Sequence, residues 1–389
     1  MADNPAPALK RPGERRGPST LSTMGTMILG WTFLRLVVGR NGSSRPAPGP
    51  RRAPSESADH GLGQKRHAPR ESAQERGRGR EAETPKEIPS QGWKDILWRT
   101  YEEFGRDRVM SVAAGVTYYA LLAIFPAIAA LVSIYGLFAD PVTIQEHLNL
   151  LSGVLPGGAL DIIGEQVKRI ASQGGGKLGF GFVLGLLISL WSANAGMKAV
   201  FDALNIVYGE DEKRSFVKLN LQSLAFTLGA LFFILLAIVG IIVLPIILEF
   251  VGLGSGTEWL LALARWPVLL AGVVLGLAVL YRYGPSRDKA EWKWVTPGGV
   301  VAAVLWVAGS MLFSWYVSNF GSYNETYGSL GAVIGFMTWI WLSSVVVLLG
   351  AEINAEMEHQ TATDTTVGAR QPLGARGAQM ADSIGAAKA

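Results

Sequence analysis

Val112 to Phe138 reads VAAGVTYYALLAIFPAIAALVSIYGLF, without a single Asp, Glu, Lys, Arg or His. As an α-helix rising about 1.5 Å per residue it would extend about 40 Å, enough to cross ~30 Å of hydrocarbon with some tilt. Working outward, five further apolar runs follow, at Leu178 to Phe201, Leu221 to Leu248, Leu260 to Tyr281, Pro297 to Phe320 and Leu330 to Gly350. The fourth carries Arg265 and Pro267 near its start, and these have to lie at an interface. The reading is an all-α, polytopic transmembrane bundle of six helices.

Composition agrees with this. The chain of 389 residues is 49% hydrophobic even though its first 90 residues are strongly polar, so the remainder is far more apolar than the mean. Residues 1–90 are rich in Pro, Gly, Ser and Arg and read as a disordered, basic cytoplasmic arm. Within the arm, Leu21 to Val38 is apolar but broken by Arg35 and lacks a small-x-small cleavage site, which favours a helix lying on the membrane surface over a signal sequence or a seventh span. The membrane domain covers 91–360, and the Gly-, Ala-, Thr- and Gln-rich tail, 361–389, is expected to be disordered.

Two amphipathic helices flank the spans. Trp93, Ile96, Leu97, Tyr101 and Phe104 recur at helical spacing before the first run, between charged positions. Such a face can rest on the membrane or on the protein's own loops. Leu160, Ile163, Val167 and Ile170 form a similar stripe in the first-to-second loop. Orientation comes from the basic residues: Lys213, Arg214 and Lys218 follow the second run, and Arg282, Arg287, Lys289 and Lys293 follow the fourth. The fifth-to-sixth loop, Gly321 to Ser329, has none, so both termini are expected in the cytoplasm. With no native cysteine, a single introduced one reports topology, Ser322→Cys labelling from outside and Ser286→Cys only after permeabilisation.

The absence of cysteine also excludes disulfides, thiolate metal sites and Cys nucleophiles. His60, His67, His147 and His359 are too scattered for a metal motif, so no metal or cofactor is expected. All six runs lack ionisable residues at their centres, which argues against a proton pump or a carrier with a buried carboxylate. Polar residues do share one depth, in the cytoplasmic half: Tyr118, Tyr119, Asn194, Ser343 and Ser344. They can line an inward-facing polar cavity or simply tie helices together and form an interfacial belt. Lys198 and Glu352 lie at similar depth near the inner boundary and can pair, or can separately face lipid phosphate and water. Pro126 is expected to kink the first span, and Gly181 with Gly185 and Gly331 with Gly335 offer small-xxx-small contacts.

Three segments carry a family resemblance. Ala113-Ala114-Gly115-Val116-Thr117-Tyr118-Tyr119-Ala120-Leu121-Leu122 with Phe125-Pro126 resembles the opening signature of the YihY/virulence factor BrkB membrane proteins. So do Ala203-Leu204-Asn205-Ile206-Val207-Tyr208 with Glu212, Arg214, Ser215 and Phe216, and the closing stretch from Tyr327 through Trp339-Ile340-Trp341-Leu342-Ser343-Ser344 to Glu356. The resemblance spans roughly residues 93–360 and implies a six-helix protein of the bacterial inner membrane. That family once bore a ribonuclease label, and the chain lacks the clustered His and Asp residues that metal-assisted RNA cleavage commonly uses. Two function classes are therefore carried forward, a transporter or translocator of a neutral or lipid-like substrate and a non-transporting membrane scaffold, with an enzyme third. The expected partners are membrane lipids and further copies of the chain, with no specific nucleic acid.

Overall fold

The computed structural model describes residues 77–135, 180–238, 255–320 and 329–388. All of them fall in one compact unit, Pro69–Ala389. The helices are α1 Ser90–Arg106, α2 Val109–Tyr135, α3 Phe180–Val207, α4 Phe216–Ile238, α5 Ser255–Tyr283, α6 Trp292–Phe320 and α7 Ser329–Glu358. The only β-type pairing among the described residues is an isolated antiparallel bridge, Ala290 with Thr366. Helices α2 to α7 are each long and apolar enough to span a membrane, over Val109–Ala130, Val183–Val207, Phe216–Ala237, Trp266–Tyr283, Trp292–Tyr316 and Val333–Glu358. The fourth span opens immediately after Arg265, so that charge stays outside the apolar window. The stretches Leu21 to Val38 and Leu160 to Ile170, and Ser322, lie outside the described residues.

Packing runs α4, α3, α2, α7, α6, α5, with α2 and α7 at the centre. Helices α4 and α5 also meet, where Gln222 donates its amide to the Tyr283 carbonyl. Large side chains such as Leu187, Ile188, Phe232, Leu275, Met311 and Trp315 stay exposed. In a chain built of membrane spans such outward apolar residues meet lipid. Helices α6 and α7 approach closely, so that a Cβ on Gly298 would sit 2.1 Å from the Gly350 carbonyl oxygen and one on Gly350 would sit 2.7 Å from Ala302 Cβ. By contrast, nothing lies within 4 Å of a Cβ on Gly185 or Gly335, so these members of the expected small-xxx-small pairs are not points of close contact. Indole N–H groups reinforce the same pair of helices, Trp306 donating to Ser343 Oγ at 3.0 Å and Trp339 to Ser310 Oγ at 3.2 Å.

The tail corrects the sequence reading. Residues 359–388 form a strap across one end of the bundle, with Thr361, Thr365, Ala378 and Ala381 buried. Its few apolar residues misled, because hydrogen bonds hold it. Arg376 reaches the carbonyls of Ala362, Gln371 and Ala381, Ala362 N donates to Arg80 O, and Gln379 N donates to Glu210 Oε1. Lys388 bonds Glu102 at 2.5 Å. Residues 77–89, assigned above to the arm, pack here as well, with Ala82 and Ile88 buried against Trp294 and Met357.

Helix α1 also departs from its apolar pattern. It turns Asp95 and Arg99 inward along with Ile96, and leaves Leu97, Trp98 and Tyr101 outside. Ion pairs explain the inversion: Arg78 meets Asp95 at 2.6 Å and Arg99 meets Glu356 at 2.5 Å. A buried charge is tolerated when paired and hydrogen-bonded, and here each is.

Candidate functional site

The polar residues that share a depth in the sequence do not converge. Tyr118 and Tyr119 stack edge to face, ring centroids 5.6 Å apart, and are 56% and 48% exposed, facing outward from the bundle. Asn194 is buried, with Thr227 of α4 donating to its Oδ1 at 3.3 Å. Ser343 donates to the Trp339 carbonyl while accepting from Trp306, and Ser344 donates to the Ile340 carbonyl. The space beside Ser343, between Trp306, Ser310 and Trp339, is about 160 Å³ and admits no water-sized body. Asn194 and Ser343 tie helices together, Ser344 bonds within its own helix and the tyrosines face outward, so the five do not line a common cavity. Pro126 lies within α2.

Lys198 and Glu352 are not brought together either. Lys198 Nζ donates to Asn220 Oδ1 at 3.0 Å and sits 5.4 Å from the Trp191 ring centre, so it belongs to the α3–α4 contact. Glu352 is wholly buried, with neither carboxyl oxygen hydrogen-bonded, and the Asp107 carboxyl stands near it. Burial and the neighbouring Glu103 push Asp107 up to about 6.

What does converge, at the strap end, is a buried polar lock that joins the second and third resemblance segments. Arg287, in the α5–α6 loop, grips the Glu358 carboxylate through Nη2 at 2.6 Å and Nη1 at 3.1 Å, both side chains wholly buried. Its guanidinium also lies 4.3 Å over the Tyr208 ring. Burial works against the Arg287 charge, but Glu358 outweighs it and the pKa is raised. Asn205 accepts from Ser286 N at 2.7 Å and donates to Glu212 at 3.1 Å. Burial alone would raise Glu212; the bonds from Arg214 and Asn205 overcome it and hold the carboxyl at about 2. Asn354 spans to α6, accepting from Gly298 N and donating to Val295 O. Sequence reasoning quoted Asn205, Tyr208, Glu212 and Arg214, and a stretch that contains Asn354, for their resemblance, and Arg287 for orientation, and missed their roles; Glu358 it did not single out. Their unusual clustering of Asn, Glu and Arg at helix ends was the available signal.

A second feature went unread. Between α5 and α6 an open apolar groove of about 410 Å³ is lined by Pro267, Leu270, Val274, Leu275, Trp292 and Thr296. Its wall Trp292 packs edge to face on Tyr283 at 6.2 Å and lies 4.3 Å beneath the Arg282 guanidinium, and Lys289 Nζ stands 5.0 Å from the Tyr283 ring. The groove lies along two spans, is open rather than enclosed, and its lining is almost wholly apolar.

Comparison with known proteins places these features in a family. Residues 100–373 match the family model described as Virulence factor BrkB. A protein of Bacillus subtilis named as ribonuclease-like, YfkH, is 32% identical over 63% of this chain and 88% of its own. UPF0761 membrane proteins of Aggregatibacter aphrophilus and Pseudoalteromonas translucida are 25% and 26% identical, over 68% and 70% of this chain and 92% and 88% of theirs. No solved structure matches.

Proposed function

The chain belongs to the virulence factor BrkB family of multi-pass membrane proteins, and from that premise we propose that it translocates an amphiphilic, lipid-like substrate across the bacterial inner membrane. Both termini and the strap face the cytoplasm in this reading, following the basic loops after α3 and α5. The observation that carries it is the groove between α5 and α6, which opens sideways to the bilayer and ends beside cations and aromatic rings. Such a path admits a substrate that enters from lipid and keeps a polar head at the boundary. Spans whose centres lack ionisable groups suit a substrate moved without ion coupling through the membrane interior.

The test is lipid movement in proteoliposomes. Fluorescent phospholipids in the outer leaflet are bleached by dithionite, and with the protein present the protected fraction should fall. A protected fraction unchanged from empty vesicles, for protein shown to be folded, refutes translocation. Topology is checked separately with Lys86→Cys, because Lys86 is exposed whereas Ser286 is buried and bonded to Lys213 N. Labelling of Lys86→Cys in intact cells would overturn the orientation.

One observation favours a non-transporting scaffold instead. The strap end is closed by buried pairs and close Gly packing, leaving α2, α3, α6 and α7 firmly tied there. Under that reading lipids occupy the groove without crossing. The ribonuclease-like name of the Bacillus subtilis protein is not carried over, because nothing in the polar lock leaves a nucleophile or base open to RNA.

A further inference from the structure

Arg282 differs from the other buried cations of the strap end. Arg287 has Glu358, Arg99 has Glu356 and Arg78 has Asp95, each within 2.6 Å. Arg282 is only 9% exposed, yet its Nε and Nη1 are buried without a hydrogen-bond partner, and no carboxylate pairs with it among the described residues. Its guanidinium lies 4.3 Å over the Trp292 ring and 5.3 Å from that of Tyr283. Stacking uses the face of the guanidinium and leaves its in-plane N–H donors unused. Lys289 adds a second cation, its Nζ 5.0 Å from the Tyr283 ring. Both therefore stand on aromatic rings, and one of those rings, Trp292, is a wall of the groove.

We propose that the groove holds an acyl chain of an anionic phospholipid whose phosphate is bound by Arg282, with Lys289 adding a second positive charge beside the headgroup. The inference rests on the lipid-facing reading of the groove and adds to it the headgroup class. A phosphate oxygen accepts from N–H groups, and a guanidinium keeps its charge in any surroundings, with Nε and Nη1 of Arg282 each offering an unused donor. Depth fits too. Leu275, on the groove wall, lies seven positions before Arg282, about 10 Å along the helix, so a phosphate at Arg282 leaves its chain running past Leu275 toward the bilayer centre. Two cations without carboxylates favour a net-negative lipid over a zwitterionic one, whose own ammonium would lie beside them.

The native absence of cysteine makes the test direct. Leu275→Cys, 60% exposed in the native chain, carries a bimane fluorophore in nanodiscs of phosphatidylcholine, with a minor fraction of lipid brominated in its acyl chains. Brominated phosphatidylglycerol should quench several-fold more than brominated phosphatidylcholine at equal amount. The preference should vanish in Arg282→Gln, persist weakened in Arg282→Lys and decline as sodium chloride is raised. Equal quenching by the two lipids in the unaltered background overturns the headgroup assignment while leaving the groove lipid-filled. Absence of quenching by either overturns the groove reading itself. Loss of the preference in sodium phosphate, but not in chloride of matched ionic strength, assigns Arg282 to the free ion and overturns the lipid. Should Arg282→Gln fail to fold, the salt series on the Arg282 protein decides, and a preference indifferent to salt refutes the proposal.

Discussion

Replacing Glu358 by Gln removes one charge from a pair that has no access to water. In the native protein the carboxylate takes two bonds from Arg287, at 2.6 and 3.1 Å, and one from Thr365 Oγ1 at 2.9 Å, and both charged side chains are fully buried. Unit charges about 4 Å apart attract by about 4 kcal/mol at the effective dielectric that describes most protein sites. Gln keeps the shape and can still accept one bond, but Arg287 is left ionised against the Tyr208 ring, because a guanidinium does not shed its proton. Breaking a buried pair from one side costs about 3–5 kcal/mol, whereas replacing both members by apolar residues of similar volume is often neutral. Glu358→Gln should therefore lower the thermal midpoint in detergent by on the order of 10 °C, and the double variant Arg287→Met with Glu358→Leu should recover most of it. Intrinsic tryptophan fluorescence at one fixed scan rate reads both, the comparison being kinetic if unfolding is irreversible. A single-variant drop below about 2 °C, or a double variant no better than the single, would refute the claim that the pair locks the strap end.

Three further outcomes follow from the same geometry. Gly298→Ala should abolish folded yield by size-exclusion chromatography, because its Cβ meets the Gly350 carbonyl at 2.1 Å and backbone cannot step aside, while Gly335→Ala, with open space, should be silent. Arg108, at φ +52° between α1 and α2, pays a left-handed penalty, so Arg108→Gly should raise stability by about 1 kcal/mol in thermal unfolding unless that turn is formed otherwise. Asp107 is held at about 6 by burial and by Glu103, against Arg106 on its own helix and with Glu352 and Glu356 facing it from α7. Its raised pKa means that the stability lent by the protonated form is present at acid pH and lost as pH rises through about 6. Asp107→Asn should thus stabilise by about 1–2 kcal/mol at pH 8, after allowing for partial screening, and change little at pH 4; a pH-independent effect contradicts the assignment.

The spans were legible because lipid imposes a one-dimensional rule. Backbone groups in hydrocarbon must bond within their own helix, so length and the absence of charge suffice to find α2 to α7. Partners are a different matter. Gly185 and Gly335 have the same local spacing as many contact glycines, yet the real close approach joins Gly298 to Gly350, which no spacing within one helix can announce. Lys198 and Glu352 share a depth, but depth fixes only one coordinate of three, and rotation about the bundle sends one toward Asn220 and the other toward Asp107.

The strap escaped for a related reason. Composition gauges the apolar area a segment can bury, and by that measure residues 361–388 have little to offset the entropy of ordering. Their stability comes instead from hydrogen bonds with groups already fixed by the spans: Arg376 gathering carbonyls, Thr361 Oγ1 donating to Ala82 O, and Gly385 N donating to His359 O. The same placement explains where the charges went. Excluded from the membrane centre, Arg99, Arg287, Glu356 and Glu358 crowd at one end and can be buried there only in pairs. Arg282 is buried in that crowd without a carboxylate, beside a groove that opens to lipid. A cation left without a carboxylate where Arg99 and Arg287 each have one is a place for an anion supplied from outside the chain, and the membrane that surrounds the groove is its nearest source.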